Sequence, residues 1–414
     1  MKRLLMIAYH FPPLAGSSGI QRTLRFVQHL QKFGWEPMVL TADPRAYERT
    51  SEDLMADIPE GVVVRRAFAL DTARHLSIAG RYVGAMARPD RWVSWKIGAV
   101  RDGMRMIKEF KPQAIWSTYP IATAHLIGAE LQRRSGLPWI ADFRDPMAQE
   151  GYPADPLVWQ SYKSIEEKAL LTASYSTFTT PSAAKTYQSR YPAAEDKVVV
   201  LENGYDEESF ATAANVGTLC QSIHPGAITL LHSGIVYPAE RDPTQFFEAL
   251  GQLKAKGIIK TGALFIRFRA SVHDDLLQSL AARFDVTEFI DCQPPAPYRE
   301  ALAEMLNADG LLVMQAANCN EQIPAKIYEY LRANRPILSL TDPLGDTATT
   351  LRQAGATDIV RLDSVAEICK VLPAFLGAIE QGRAALPYRQ AVANASREGR
   401  TAQLAGLLNA ATGH

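Results

Sequence analysis

Short, nearly continuous apolar runs alternate along the chain with longer segments in which apolar residues return every three or four positions. A run of the first kind suits a strand buried on both faces, and the second suits an amphipathic helix. Their alternation predicts an α/β protein with parallel sheets covered by helices. Arg3 to Tyr9 is read as the first strand. After Pro12-Pro13 and Gly16-Ser17-Ser18-Gly19, the residues Ile20, Leu24, Val27 and Leu30 mark one face of a helix that Gly34 stops. Further strands are expected at Pro37 to Thr41, Ala114 to Thr118, Trp139 to Phe143, Ser176 to Thr180 and Val198 to Leu201, and a domain closes near Asp206. A second series with the same grammar runs through Ile228 to Ser233, Ala263 to Phe268, Glu288 to Asp291, Gly310 to Met314, Ile337 to Leu340 and Asp358 to Leu362. Between them the chain is small and polar, as a linker would be. The expected organisation is an N-terminal domain over 1–206, a linker over 207–225, a C-terminal domain over 226–385, and a C-terminal helix within 386–414 that is a candidate to pack back on the N-terminal domain.

The length of 414 residues suits two domains of ordinary size. All six tryptophans lie in the first 160 residues, which suggests two separately evolved halves. Formal net charge is zero, but Arg65 to Lys111 holds eleven Lys and Arg against four acids. Tyr82, Met86, Trp92, Trp95, Met104 and Met106 are interleaved with these charges. That mixture makes Arg88, Arg91, Trp92, Trp95, Lys96 and Arg101 candidates for contact with an anionic membrane surface, the alternative being a helix covering the sheet with a basic solvent face. Nothing resembles a nucleic-acid recognition module, so nucleic acid is not an expected partner. Cys220, Cys292, Cys319 and Cys369 form no C-x-x-C pair, which argues against zinc and a disulfide framework and reads as reduced thiols of a cytosolic protein. The N-terminal apolar run is too short for a signal-peptide core, and no stretch is long enough to span a bilayer.

The densest chemistry lies in Cys319 to Leu331, where Glu321 and Glu329 flank Pro324 and Lys326. Proline fits the first turn of a helix, which puts Glu321 in the loop before it and Glu329 on it, sharing a face with Lys326. Ile327 and Leu331 then point into a core, and Ala308 to Met314 is the buried strand feeding the loop. Strand, polar loop and helix N-terminus make a natural anion site, which Lys326 strengthens. Gly16 and Gly19 do not fit the dinucleotide-binding G-x-G-x-x-G order, so a nicotinamide enzyme is disfavoured. Asp142, Arg144 and Asp145 stand where a parallel strand ends, the edge at which such sheets bind ligands; an Arg–Asp pair pinning the loop is the alternative. His125, on the preceding helix, could reach the same edge, although a lone histidine on an amphipathic helix is more often structural.

The Cys319 to Leu331 segment resembles the glutamate-x7-glutamate motif of the retaining family 4 (group 1) glycosyltransferases. Trp139-Ile140-Ala141-Asp142-Phe143-Arg144-Asp145-Pro146 resembles the D-F-R-D-P stretch of one bacterial branch of them. Leu231 to Pro243 is similar to the loop opening their C-terminal domain, and Glu202-Asn203-Gly204-Tyr205-Asp206 to their P-N-G-V-D turn. The resemblance implies the GT-B architecture: two facing Rossmann-like domains with an interdomain cleft. It implies that Glu321 contacts the donor sugar, Glu329 holds the nucleotide ribose, and Arg241 with Lys326 clamps the pyrophosphate. Ile235 stands where the family has an arginine. Gly16, Gly19, Gly234, Ile323 and Pro324 would line the donor, and Asp142, Arg144, Asp145 and His125 the acceptor side or cleft. The family's histidine near Arg144 is absent, so its role does not carry over. The expected function is a metal-independent, hexosyltransferase-type retaining transfer from a nucleotide-sugar to a glycan or polyprenyl-linked acceptor in surface polysaccharide synthesis. No cofactor is expected, and the setting would be cytoplasmic, with the inner face of the membrane a candidate surface. A GT-B nucleotide-sugar epimerase and a non-catalytic scaffold of a polysaccharide assembly complex are the alternatives.

Overall fold

In the computed structural model, which describes residues 1–17, 19–215 and 222–413, the apolar runs become the strands of two parallel sheets. The chain divides into two units, Met1–Asn203 with Arg397–His414, and Gly204–Ser396. The first unit contains β1 (Lys2–Ile7), β2 (Trp35–Ala42), β3 (Val63–Ala67), β4 (Ala114–Thr118), β5 (Trp139–Arg144), β6 (Tyr175–Phe178) and β7 (Val198–Val200). They pair in the order β3-β2-β1-β4-β5-β6-β7. Its helices are α1 (Gly19–His29), α2 (Thr72–His75), α3 (Trp95–Phe110), α4 (Thr123–Ser135), α5 (Pro156–Thr172) and α6 (Pro181–Arg190). Leu4, Leu5, Met6 and Ile7 are fully buried because helices cover both faces of β1. The hydrophobic pattern does not show β3, since Val63-Val64-Arg65-Arg66-Ala67 is a charged, half-exposed edge strand.

One buried ion pair crosses this sheet. Arg22, on α1, donates through Nε and Nη2 to the two Asp142 carboxylate oxygens at 2.9 and 2.8 Å. Its remaining donors reach the carbonyls of Leu201 and Glu202 at 2.9 and 3.0 Å. Asp142 also accepts from Thr118 on β4 and Thr177 on β6, at 2.8 and 2.7 Å. Burial alone would raise the Asp142 pKa. The Arg22 charge and the three donors outweigh it, and the carboxyl is held below its ordinary value. A second buried acid, Glu166 on α5, accepts from Tyr187, Tyr191, Arg190 and the Ala148 amide, and so fixes the loop that leaves β5.

The second unit contains β8 (Ile228–Ser233), β9 (Leu264–Arg269), β10 (Ile290–Gln293), β11 (Gly310–Met314), β12 (Ile337–Leu340) and β13 (Ile359–Val360). Their order is β10-β9-β8-β11-β12-β13, so in each parallel sheet the order of strand addition reverses beside the first strand. The helices are α7 (Glu207–Asn215), α8 (Thr244–Ala255), α9 (Asp274–Arg283), α10 (Tyr298–Asn307), α11 (Lys326–Ala333), α12 (Asp346–Gln353), α13 (Val365–Glu380) and α14 (Arg389–Asn394). The last helix of the chain, α15 (Arg397–Ala411), belongs to the first unit. There Leu404, Ala405 and Leu408 share an apolar cluster with Leu24 and Val27 of α1 and with Leu30 just after it.

Two expectations are corrected. Residues 207–215 are not linker but α7, whose Phe210 and Ala213 are buried in one cluster with Leu302, Ala303 and Met305 of α10; residues 216–221 of the expected linker, with Cys220, lie outside the described residues. The third strand of the second series starts two residues late, at Ile290, because Thr287–Phe289 forms a 3₁₀ turn. The Arg22–Asp142 pair yields a prediction. Asp142→Asn leaves Arg22 buried without its counter-charge, and urea denaturation should show a loss of about 3–5 kcal/mol. A loss below about 1 kcal/mol, the value of an exposed pair, would show that water reaches the site.

Candidate functional site

In open sheets of this kind, ligands bind at the carboxyl ends of the strands where the order reverses. In the second unit that point lies between β8 and β11. Gly234 follows β8 with φ +108°, a conformation that favours glycine, and a Cβ there would stand 3.5 Å from Lys326 Nζ. The Ser233 amide donates to Tyr330 Oη at 2.9 Å, which ties β8 to α11. Arg241 donates to the Ile235 carbonyl and lies 5.1 Å above the Tyr237 ring. The loop after β11 is held on several sides: the Ala316 amide donates to the Glu240 carbonyl at 2.7 Å, and Gln315 Nε2 donates to the carbonyls of Cys319 and Gln322 at 2.7 and 3.0 Å. No side chain caps the start of α11; beside Lys326 the Ile327 and Tyr328 amides turn back onto the carbonyls of Pro324 and Ala325 at 3.0 and 3.2 Å.

Lys326 Nζ donates to His232 Nε2 at 3.1 Å, and His232 Nδ1 donates to the Leu312 carbonyl at 3.0 Å. His232 is fully buried on β8. Burial pushes the Lys326 pKa well down, and the nearby Arg241 charge pushes the same way. His232 is lowered as well, by burial first and then by Lys326, so its imidazole is neutral. Glu329 lies on α11 one turn after Lys326 and accepts from Tyr298 Oη at 2.8 Å, while Glu321 is exposed in the loop. Of the expected donor contacts, Ile323 offers no side chain, since it is buried in the core with Ile327 and Leu331.

The matching edge of the first unit gathers a different set. A Cβ at Gly19 would lie 2.5 Å from His10 Nδ1 and 2.9 Å from Arg144 Nη1, so only glycine lets both side chains close on the start of α1. Ser17 Oγ and His10 Nδ1 are 3.0 Å apart. Arg144 follows a bulge between Asp142 and Arg144 and has φ +63°, unusual for a residue with a side chain. Its Nη1 makes one long bond, 3.4 Å, to the Tyr119 carbonyl, and its Nε is buried without a hydrogen-bond partner among the described residues. His10 is pushed down to about 4 by burial and by Arg144. A pocket of about 280 Å³ opens beside His10, Gly16 and Ser17, with Tyr9, Arg49 and Trp92 on its walls. Asp145 is exposed at the same edge.

Other expected site residues are placed elsewhere. Asp142 is consumed by Arg22 and faces no ligand. His125 does not reach an opening: it is fully buried, 2.8 Å from Ser117 Oγ and packed on Trp139 and Phe143. Trp95 is not a surface residue either, for it is fully buried and donates to the Thr41 carbonyl at 3.2 Å. Trp92 is half-buried and bonded to the Ala46 carbonyl, and Arg91 pairs with Asp71 and Glu48. Lys96 and Arg101 do line a groove between α3 and α4, with Ile97, Val100, Met104 and Arg105. His10 and His232 were not singled out in the sequence, though a histidine beside a glycine-bearing loop after an apolar strand was a usable signal. Among the described residues no group of His, Cys, Asp and Glu is arranged to hold a metal, and no helix is long and apolar enough to cross a membrane.

Residues 18–204 match the family model described as a glycosyl transferase 4-like domain. Across nearly the whole chain the fold matches solved structures. One is a glycosyltransferase from Rickettsia africae (TM-score 0.64, 12% identity, 99% of this chain and 98% of that chain). Another is the lipopolysaccharide outer core galactosyltransferase WaaB (0.60, 9%, 98% and 99%). A third is HepE of Anabaena, solved in complex with UDP (0.59, 11%, 98% and 95%). The fold is GT-B. No curated protein matches by sequence.

Burial of His125 makes a pH prediction. Its folded-state pKa, about 4, lies below the ordinary 6.5, so folding excludes a proton. The unfolded chain then binds more protons between those values, and stability present above pH 6.5 is lost as pH falls toward 4, by up to about 1.4 kcal/mol per pH unit. Urea denaturation at pH 7 and 4.5 should show His125→Asn losing about 2 kcal/mol less than wild type on acidification. Equal losses would mean that His125 is protonated in the folded protein.

Proposed function

We propose that the protein is a retaining glycosyltransferase that moves a sugar from a nucleotide-sugar to a glycan or lipid-linked glycan acceptor in bacterial surface polysaccharide synthesis. The observation that carries this reading is the convergence of Lys326, Arg241, Gly234 and an uncapped helix start at the switch point of the second unit. That is an arrangement for a diphosphate. The GT-B fold and the UDP bound by the Anabaena neighbour support it. In the transfer, the anomeric C–O bond to the diphosphate breaks and its electron pair passes to the phosphate oxygen. The acceptor hydroxyl forms the new bond on the same face and passes its proton to the departing phosphate oxygen. Arg241, Lys326 and the positive end of the α11 dipole stabilise the departing charge, a role that calls for no metal or cofactor. Glu321 positions the donor sugar and Glu329 the ribose. On the first unit, Arg144 and Asp145 face the acceptor.

The test is a thermal-shift panel of UDP-, GDP-, ADP- and dTDP-sugars, in which one donor at a hundred times its dissociation constant should stabilise the fold by roughly 3 kcal/mol. In isothermal titration, Glu329→Ala should weaken the bare nucleoside diphosphate, while Glu321→Ala should weaken only the sugar-bearing donor. Equal loss in both variants overturns the division of roles, and no response to any donor overturns the function. Sugar release without acceptor would favour the epimerase.

We further propose that this protein works at the inner face of a membrane. Ile78, Tyr82, Val83, Met86 and Ile97 are exposed apolar side chains within the basic segment, and Arg81, Lys96, Arg101 and Arg105 lie among them. Each basic residue at an anionic surface contributes about 1 kcal/mol, weakening as salt rises. Co-sedimentation should show capture by anionic but not neutral vesicles at low salt, and loss of capture when those four cations are changed to serine together. A wild-type protein that ignores anionic vesicles would point to a soluble acceptor.

A further inference from the structure

We propose that His232 is a positioning residue for Lys326: a neutral imidazole, locked in one tautomer, that aims the ammonium at a phosphate-bearing ligand without cancelling its charge. The inference rests on reading Lys326 as part of the diphosphate site, and it adds the device that makes the lysine usable there. A carbonyl oxygen only accepts, so the 3.0 Å contact between Nδ1 and the Leu312 carbonyl requires the proton on Nδ1. Nε2 is then a bare acceptor. An ammonium only donates, so the 3.1 Å contact from Lys326 Nζ fills that acceptor. Both partners of the imidazole thus fix the same tautomer.

The rest of the surroundings agrees with this assignment. The groups around the lysine are His232 on β8, Arg241 from the loop before α8, and Glu329 on its own helix. Tyr330 is occupied by the Ser233 amide, and the Phe268 ring lies 5.9 Å from His232. Glu329 is drawn on by Tyr298. Lysine has a long, freely rotating stem and strongly hydrated ammonium, and without an anchor its charge would be spread over many rotamers. A carboxylate at position 232 would anchor it more firmly but would compete with the ligand for the charge. A neutral acceptor gives direction and leaves the full charge for a phosphate.

The experiment measures binding of UDP, GDP, ADP and dTDP by isothermal titration and carries the tightest-binding one through a double-mutant cycle of His232→Leu and Lys326→Met. Each single variant should lose affinity about tenfold or more, the scale of one hydrogen bond involving a charged group. The double variant should be no weaker than Lys326→Met alone, because His232 acts only through the lysine. His232→Gln, which keeps a neutral acceptor, should stay within about threefold of wild type, whereas His232→Glu should lose affinity although it can pair with the lysine. Thermal melts of the free proteins identify variants that fail to fold; if His232→Leu is one, the Gln against Glu comparison decides. Losses that add in the double variant, or equal affinity of the Gln and Glu variants, overturn the proposal. An unchanged Lys326→Met, or a wild type that binds none of the four nucleotides, overturns the phosphate reading itself.

Discussion

The first unit depends on the Arg22–Asp142 pair. A guanidinium and a carboxylate removed from water are tolerable only if nearly every donor and acceptor is satisfied, and here five groups complete the set: Thr118, Thr177, the carbonyls of Leu201 and Glu202, and the partner itself. Those groups come from β4, β6 and the chain leaving β7, so α1 can seat in only one place along the sheet edge. Its N-terminus is thereby fixed, and with it the close approach of Gly19 to His10 and Arg144. The bulge after Asp142 turns Arg144 out of the strand into a left-handed conformation at that same edge. Both Arg22 and Arg144 are thus set by one carboxylate three strands wide in its reach.

Cations removed from water are treated in two ways in this protein. Arg22 is fully matched by an anion, and its charge is unavailable to any ligand. Lys326 and Arg144 have no such match: one leans on a neutral imidazole, and the other makes a single long bond to a carbonyl. Burying an unmatched charge costs stability, and that cost is recovered only when an anion arrives. Under-satisfied cations at these two sheet edges are therefore the physical basis of the sites we propose, more than any one motif.

The basic segment shows the opposite lesson about aromatic residues. Trp95 and Trp92 hold the first helix turn of α3 and its approach against the sheet through bonds to the carbonyls of Thr41 and Ala46, and Arg91 is spent on Asp71 and Glu48. What remains at the surface is a set of flexible-stemmed cations in the same segment as the exposed apolar side chains Ile78, Tyr82, Val83, Met86 and Ile97. The attraction we propose for an anionic surface rests on many weak contacts rather than one anchor.

The sequence by itself determined the two parallel α/β halves, the places of nearly all strands, and the helix that presents Lys326 and Glu329, because burial on one face of a helix or both faces of a strand leaves a local periodicity that can be counted. It also marked the edge holding Arg144. It missed the β3 edge strand, whose arginines hide its period, and it took α7 for linker because Phe210 and Ala213 signal a helix only once α10 is there to cover them. Which polar residues were structural was beyond it. Asp142, His125 and Trp95 looked like site or surface residues, while His10 and His232 went unmarked. The difference lies in partners more than a hundred positions away for Asp142, or eighty for His232, and such pairings leave no trace in spacing. Only the tertiary structure decided which charges are matched by an opposite charge and which are not.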